Sequence, residues 1–279
     1  MKPNILFVIP ALRTVEYTEL AYRSLKENTN GVDYDVIVCM DLDNADDRKY
    51  YEDHCIPYKI RQGWGHWTMV NWEVFDAEWI GKPYNFVGLI HNDMVFGYDW
   101  LSGFRRYCEE HPDIEHYDNK VFSFKPTCGS PSPHPPVCLL DKFNYQEFQN
   151  VTMQLYDAGS TAETYFDRYL EFLPWIWSFR AHKKTFKWLR DGDYGLLMAA
   201  KQNVNWFDPI HFPFAGYFHF GNIACTLCHD DFMRIQATKY YFQEKANDPD
   251  FMELCNFLLA ETPWKNDAGL HEIKAMSKL

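Results

Sequence analysis

Three apolar runs, Ile5-Leu6-Phe7-Val8-Ile9, Val36-Ile37-Val38-Cys39-Met40 and Phe86-Val87-Gly88-Leu89-Ile90, stop on residues of quite different chemistry: Pro10, Asp41 and the triplet His91-Asn92-Asp93. Continuous runs of this length, rich in Val and Ile, predict strands buried on both faces, as in a parallel sheet covered by helices. The stretches between them supply the cover. Tyr17, Ala21 and Leu25 recur at i, i+4, i+8, and Trp67, Val70, Val74 and Ala77 at i, i+3, i+7, i+10, so each stretch has one apolar face. The first hundred residues therefore read as β-α-β, a polar segment, then α-β. In an open α/β sheet the carboxyl ends of the strands border one crevice, and ligands bind there. That crevice is the candidate active site.

Composition narrows the function classes. The 279 residues are 47% hydrophobic, enough for a substantial core, and the formal charge of −12 argues against a protein that coats nucleic acid or anionic membrane through phosphate neutralisation. No apolar stretch approaches the roughly 20 residues of a membrane helix. The N-terminal Met1-Lys2-Pro3-Asn4 runs into a strand without a cleavage pattern, so the expected location is cytoplasmic. Eight irregularly spaced cysteines read as thiols rather than a disulfide framework. Cys225-Thr226-Leu227-Cys228-His229 spells a haem-attachment motif, but without an export signal we read it as coincidence.

Five prolines between Lys125 and Pro136 predict a loop dividing the fold into two halves. Beyond it, Ser160-Thr161-Ala162-Glu163 matches a capping box and predicts a helix towards Leu173, stopped by Pro174. Next come an aromatic and basic segment from Trp175 to Arg190, the acidic Asp191-Gly192-Asp193, and a strand-like Gly216-Tyr217-Phe218-His219-Phe220. The expectation is one α/β domain over 1–230, with halves 1–100 and 101–230, and a helical C-terminal extension over 231–279.

In order and spacing these pieces resemble the family 2 glycosyltransferases of the GT-A fold, over roughly residues 4 to 245. The resemblance implies a Rossmann-like, mostly parallel central sheet flanked by helices. It matches Pro10-Ala11-Leu12-Arg13 to the family's nucleotide-contacting turn, Asp41 to the base-contacting acid, and Asn71 to an Asn on the helix before the third strand. His91-Asn92-Asp93 answers the Asp-x-Asp metal motif, Arg190-Asp191-Gly192-Asp193 the later acidic motif, and His219 the late His ligand. The implied roles are nucleotide binding for Pro10, Ala11, Arg13, Asp41, Asn71 and Asn92; metal binding for Asp93, His219 and His91; and catalysis for Asp191, with Asp193 as alternate. The sequence departs from the family at His91 and Arg190, where acids are usual.

The implied chemistry needs these residue types. Charge left on a departing diphosphate is neutralised by a divalent metal, Mn²⁺ or Mg²⁺, and a carboxylate takes the proton of the attacking hydroxyl. The implied partners are a nucleotide-sugar donor, with uridine the favoured nucleoside, and an acceptor glycan, protein or modified nucleic acid. One displacement at a single base implies inversion. Arg180, Lys183, Lys187 and Arg190 share a face if the segment is helical. They read either as a solvated surface or as an acceptor site for a phosphate-bearing molecule such as hydroxymethylated viral DNA. Two other functions stay open. One is a sugar-phosphate nucleotidyltransferase, although Pro10-Ala11-Leu12-Arg13-Thr14 is not a glycine-rich triphosphate loop. The other is a non-catalytic carbohydrate-binding or assembly protein.

Overall fold

The computed structural model describes residues 1–61, 80–118, 120–128, 139–157, 174–182, 208–221 and 223–231, together with 69–70, 73–74, 76–77, 246–247, 252, 256 and 274–275. The chain divides into two compact units, Met1–Thr226 and Leu227–Leu279. The predicted helix from Ser160 to Leu173 lies outside the described residues.

The three apolar runs are strands. β1 spans Asn4–Ala11, β2 Asp33–Met40 and β4 Phe86–Leu89, with a short β3 at Tyr58–Ile60 between the last two. β5 (Met94–Phe96), β6 (Lys120–Cys128), β7 (Trp175–Ser178) and β8 (Asp208–His219) complete one eight-stranded sheet of order β3-β2-β1-β4-β7-β6-β8-β5. The pairs β1–β2, β1–β4, β2–β3 and β6–β8 are parallel, while β4–β7, β6–β7 and β5–β8 are antiparallel. The expected α/β architecture is therefore present. Its parallel half is the N-terminal one.

Helix α1 (Val15–Asn28) comes after β1 and buries Tyr17, Leu20, Ala21 and Leu25, the predicted face plus one neighbour. Tyr17 and Leu20 pack with Val95, Phe148, Phe220 and Ile223, which ties α1 to β5 and to the residues after β8. Burying each such side chain contributes about 1.5–3 kcal/mol before entropy is counted. On the helix before β4, Val70, Val74 and Ala77 are buried as the spacing requires, whereas Trp67 lies outside the described residues. The centre of the sheet is aromatic. Phe86, Phe104, Tyr117 and Phe122 meet edge to face or tilted at 4.8–6.4 Å, an arrangement the ring quadrupoles favour.

Several expectations are corrected. Pro10 does not stop β1, which runs on to Ala11 with Pro10 opposite Cys39. The carbonyl of Val8 bonds to β4 through Ile90 N–H and that of Ala11 to Asp41 N–H, so by alternation Pro10 faces the β4 side. The last β1–β4 pair is Val8↔Leu89, and the missing N–H of Pro10 thus costs no ladder bond. The acid-rich stretch after β2 is helical from Ala45 to Asp53 (α2), because the Asn44 side chain accepts from the N–H groups of Asp46 and Asp47. Lys125-Pro126-Thr127-Cys128 is the end of β6 rather than loop. The register shifts on either side of Pro126, and pairing with β7 has already ended at Ser123, so a residue lacking an N–H is tolerated there. Residues 129–138 lie outside the described residues.

Candidate metal and nucleotide site

β1, β2 and β4 end on one edge of the sheet, with β1 in the middle. The turn that leaves β1 is strained. Arg13 and Thr14 both have φ of 53°, a left-handed conformation that is unfavourable for a β-branched residue such as Thr14. Such conformations cost on the order of 1–3 kcal/mol and persist where neighbours over-determine them. Here the neighbour is Asn92. Its side-chain amide donates to the Thr14 hydroxyl at 2.8 Å and to the Thr18 hydroxyl at 3.1 Å. The middle residue of the motif after β4 thereby fixes the turn after β1.

Asp41 closes the other side of β1. It is buried, comes directly after β2, and donates its backbone N–H to the carbonyl of Ala11 at 2.9 Å. Arg13 lies 3.4 Å from Asp47 in the first turn of α2, with its side chain 38% exposed. Asp41 therefore meets the segment Pro10–Thr14 at Ala11, and Asn92 meets it at Thr14. Asn71 lies outside the described residues.

The third group comes from both halves of the fold. β5 starts immediately after Asp93 and pairs antiparallel with the end of β8, Met94 opposite His219. This register brings His219 Nε2 to 3.0 Å from Asp93 Oδ1. The His91 ring lies 5.6 Å from that of His219, centroid to centroid. One nitrogen of each imidazole and one oxygen of Asp93 fall within 4.8 Å of one another, the single such group of metal-binding type among the described residues. Burial alone would raise the pKa of Asp93. The imidazoles of His219 and His91, and a backbone N–H donated by Ile223, outweigh it and hold the carboxyl well below the ordinary range. Asp93 is thus a buried carboxyl whose ionised form its neighbours favour, and a cation ligand has to be ionised.

The remaining candidates are less connected. Asp191, Asp193, Lys183, Lys187 and Arg190 lie outside the described residues. Arg180, in the short helix Phe179–Ala181, binds Glu115 at 2.8 Å and Asp118 at 3.2 Å, so its charge is already shared between two acids.

Sequence reasoning missed two features next to the candidate residues. Thr14 and Thr18, as partners of Asn92, have no local signal. Beside Asp41, where Arg61 N–H bonds to Met40 carbonyl, Lys59 and Arg61 close a four-membered ionic cluster with Glu73 and Asp76 at 2.6–2.9 Å. Its signal was the i, i+3 spacing of two acids opposite an i, i+2 pair of cations.

No family model and no curated protein matches the sequence. Among solved structures, the chain is similar to TarS 1–349 of S. aureus, at 15% identity over 91% of this chain and 69% of that one, with a TM-score of 0.45. Against the longer S. aureus TarS structure the identity is 13%, covering 91% of this chain and 42% of that one, with a TM-score of 0.48. A third is glucosyl-3-phosphoglycerate synthase from Mycobacterium tuberculosis in complex with Mn²⁺, UDP and glucosyl-3-phosphoglycerate, at 9% identity over 75% and 70% of the two chains, with a TM-score of 0.43. At this distance none of them assigns a role to a residue here. Among the described residues, no helix is long and apolar enough to cross a membrane.

Proposed function

We propose that the chain is a metal-dependent glycosyltransferase that moves a sugar from a nucleotide diphosphate, a uridine nucleotide by family resemblance, to an acceptor hydroxyl with inversion. The observation that carries this reading is the junction at Asn92. Through it the turn Pro10–Thr14, with Asp41 alongside, adjoins the His91, Asp93 and His219 cluster. A ligand with a flat polar base at one end and a diphosphate at the other fits that order of chemistry.

The donor set passes a simple test of fit. Asp93 is buried, and one oxygen of it and one nitrogen of each imidazole lie within 4.8 Å of one another. His91, Asp93 and His219 would hold the cation, which when bound offsets the charge that develops on the departing diphosphate. The rest falls to the chain itself. Asp41 and the turn after β1 orient the nucleoside, and Arg13, partly exposed beside Asp47, offers a guanidinium to phosphate oxygen. Asp191 is the general base in this reading, accepting the acceptor's hydroxyl proton, with Asp193 in reserve. Lys183, Lys187 and Arg190 would receive a phosphate-bearing acceptor. Replacing Lys183 and Lys187 by Ser should then weaken acceptor binding in a salt-dependent way and leave donor hydrolysis unchanged.

The deciding experiment is thermal unfolding with UDP, GDP, CDP and dTDP, each with and without Mn²⁺. A ligand at 100 times its Kd stabilises by about 2.7 kcal/mol, an easily read shift. UDP with Mn²⁺ should raise Tm most, and slow hydrolysis of a UDP-sugar should disappear in Asp93→Ala. Failure of all four nucleotides to shift Tm sinks the proposal.

A further inference from the structure

The peptide unit that leads into Asp41 is held from both sides. Its carbonyl, that of Met40, accepts from Arg61 N–H at 2.9 Å, and its N–H, that of Asp41, donates to the carbonyl of Ala11 at 2.9 Å. Ala11 ends the long strand β1, but Arg61 follows β3, a three-residue strand on the outer edge of the sheet. Glu73 secures that edge. From the helix before β4 this carboxylate, 3% exposed, accepts from Arg61 Nε and Nη2 at 2.9 and 2.7 Å, from Lys59 at 2.6 Å and from the Cys39 thiol of β2. We infer that Glu73 is a positioning residue for nucleobase recognition, which acts through Arg61 on Asp41 and sets a preference for uracil over cytosine. The inference deepens the nucleoside role proposed for Asp41 and rests on that part of the reading.

Stability alone does not account for charge at this place. Apolar packing of similar volume commonly holds such a position as well as a buried ion pair or better, whereas an ion pair fixes one arrangement of its partners. Both Nε and Nη2 of Arg61 bond to Glu73 Oε1, and Nη2 also meets Asp76 at 2.6 Å, so the plane of the guanidinium is set. With the end of β3 fixed in this way, the Met40–Asp41 peptide is kept from tilting, and Asp41 leaves β2 in one direction. Direction is what a base reader needs. A carboxylate only accepts, and uracil offers it N3–H in the plane of the ring, whereas N3 of cytosine is itself an acceptor. Hydrogen bonds weaken steeply off line, so a tilt at Asp41 costs UDP its bond and relieves CDP of repulsion. The ratio of the two affinities therefore reports the position of the carboxylate.

The test uses the full chain with Mn²⁺ and reads UDP and CDP affinities by titration calorimetry. The unaltered protein should favour UDP by about tenfold or more, the contribution of one hydrogen bond to a charged group. Asp41→Asn should erase the preference, because an amide can present either a donor or an acceptor to the base. Glu73→Gln keeps the shape and deletes the charge, and the preference should fall by about fivefold or more. Arg61→Met should do the same, and the double variant should lose no more than either single one, since both cut one link. Asp99→Asn supplies the contrast. It breaks another buried pair, with Arg105 at 3.0 Å, and should lower Tm while leaving the ratio unchanged. A Glu73 that served stability alone would behave like Asp99. An unchanged ratio in Glu73→Gln, or in Arg61→Met where Glu73→Gln does not fold, together with its loss in Asp41→Asn, overturns the inference and leaves the nucleoside role of Asp41 standing. Equal binding of UDP and CDP by the unaltered protein, or an unchanged ratio in Asp41→Asn, overturns both.

Discussion

Asn92 and Thr14 are 78 positions apart, yet the amide of one donates to the hydroxyl of the other at 2.8 Å. The bond joins the motif that carries the proposed metal ligands to the strained turn that would hold the nucleotide. Asn92 is buried and uses its donors on protein hydroxyls. Its part in nucleotide binding is therefore best tested as a positioning one.

Asn92→Leu keeps the branched shape and deletes both donors. Leaving the buried Thr18 hydroxyl and the half-buried Thr14 hydroxyl without their partner costs about 1–3 kcal/mol, so Tm should fall while the protein remains folded. Relaxation of the turn should weaken UDP binding in titration calorimetry and leave Mn²⁺ binding by His91, Asp93 and His219 intact. Equal losses of both affinities would contradict a role confined to the turn.

Glu73 is 3% exposed and holds Arg61 and Lys59 together. Removing one partner of a buried ion pair costs roughly 3–5 kcal/mol. Lys59 is 39% exposed and Asp76 still serves both cations, so Glu73→Ala should fall at the lower end of that range. The exposed pair Lys49 and Asp53 provides the contrast, since solvent screens it and Lys49→Ala should leave stability nearly unchanged. Chemical denaturation of the two variants reads the difference directly.

His182 gives the fold a definite acid sensitivity. It is fully buried, accepts from Trp177 Nε1 at 2.9 Å, and burial pushes its pKa down to about 3. Above the ordinary His pKa near 6.5 both folded and unfolded chains carry it neutral, and it imposes no penalty. As pH falls below that value the unfolded chain takes up a proton that the folded chain refuses. Stability should decline by roughly 1.4 kcal/mol per pH unit from this residue alone, until the folded pKa is reached. Tm measured from pH 7 to 4 should fall less steeply in His182→Gln than in the unaltered protein. Parallel slopes would show that His182 is protonated within the native state.

Gly88 sits in β4 where a Cβ would come within 2.5 Å of Phe7 Cδ1 and 2.7 Å of Cε1. Phe7 is fully buried and packs on Trp100 and Tyr34, so it has little room to move. Gly88→Ala should destabilise by about 1–3 kcal/mol through overpacking. An unchanged denaturation midpoint would mean that β1 and β4 lie further apart than described.

The parallel half of the sheet was legible in the sequence because its signal is local. A run such as Ile5–Ile9 or Phe86–Ile90 carries its own evidence of burial on both faces, and the residues at its carboxyl end are then known: Asp41 after β2, His91-Asn92-Asp93 after β4. The α1 face was legible for the same reason. β3, β5, β6 and α2 were not. Three-residue strands such as Tyr58–Ile60 and Met94–Phe96 are too short to show a period, the prolines of β6 point to a loop, and α2 depends on the single side chain of Asn44.

By itself, then, the sequence determined which residue types stand at the ends of the first strands, because strand burial and helix faces are properties of neighbouring residues. Only the tertiary structure decided that His219 meets Asp93, 126 positions away, and that Asn92 turns inward to Thr14 and Thr18. The reason is register. The β5–β8 pairing that sets Met94 opposite His219 is a long-range choice among possible alignments, and a shift of one residue would turn His219 to the other face of the sheet.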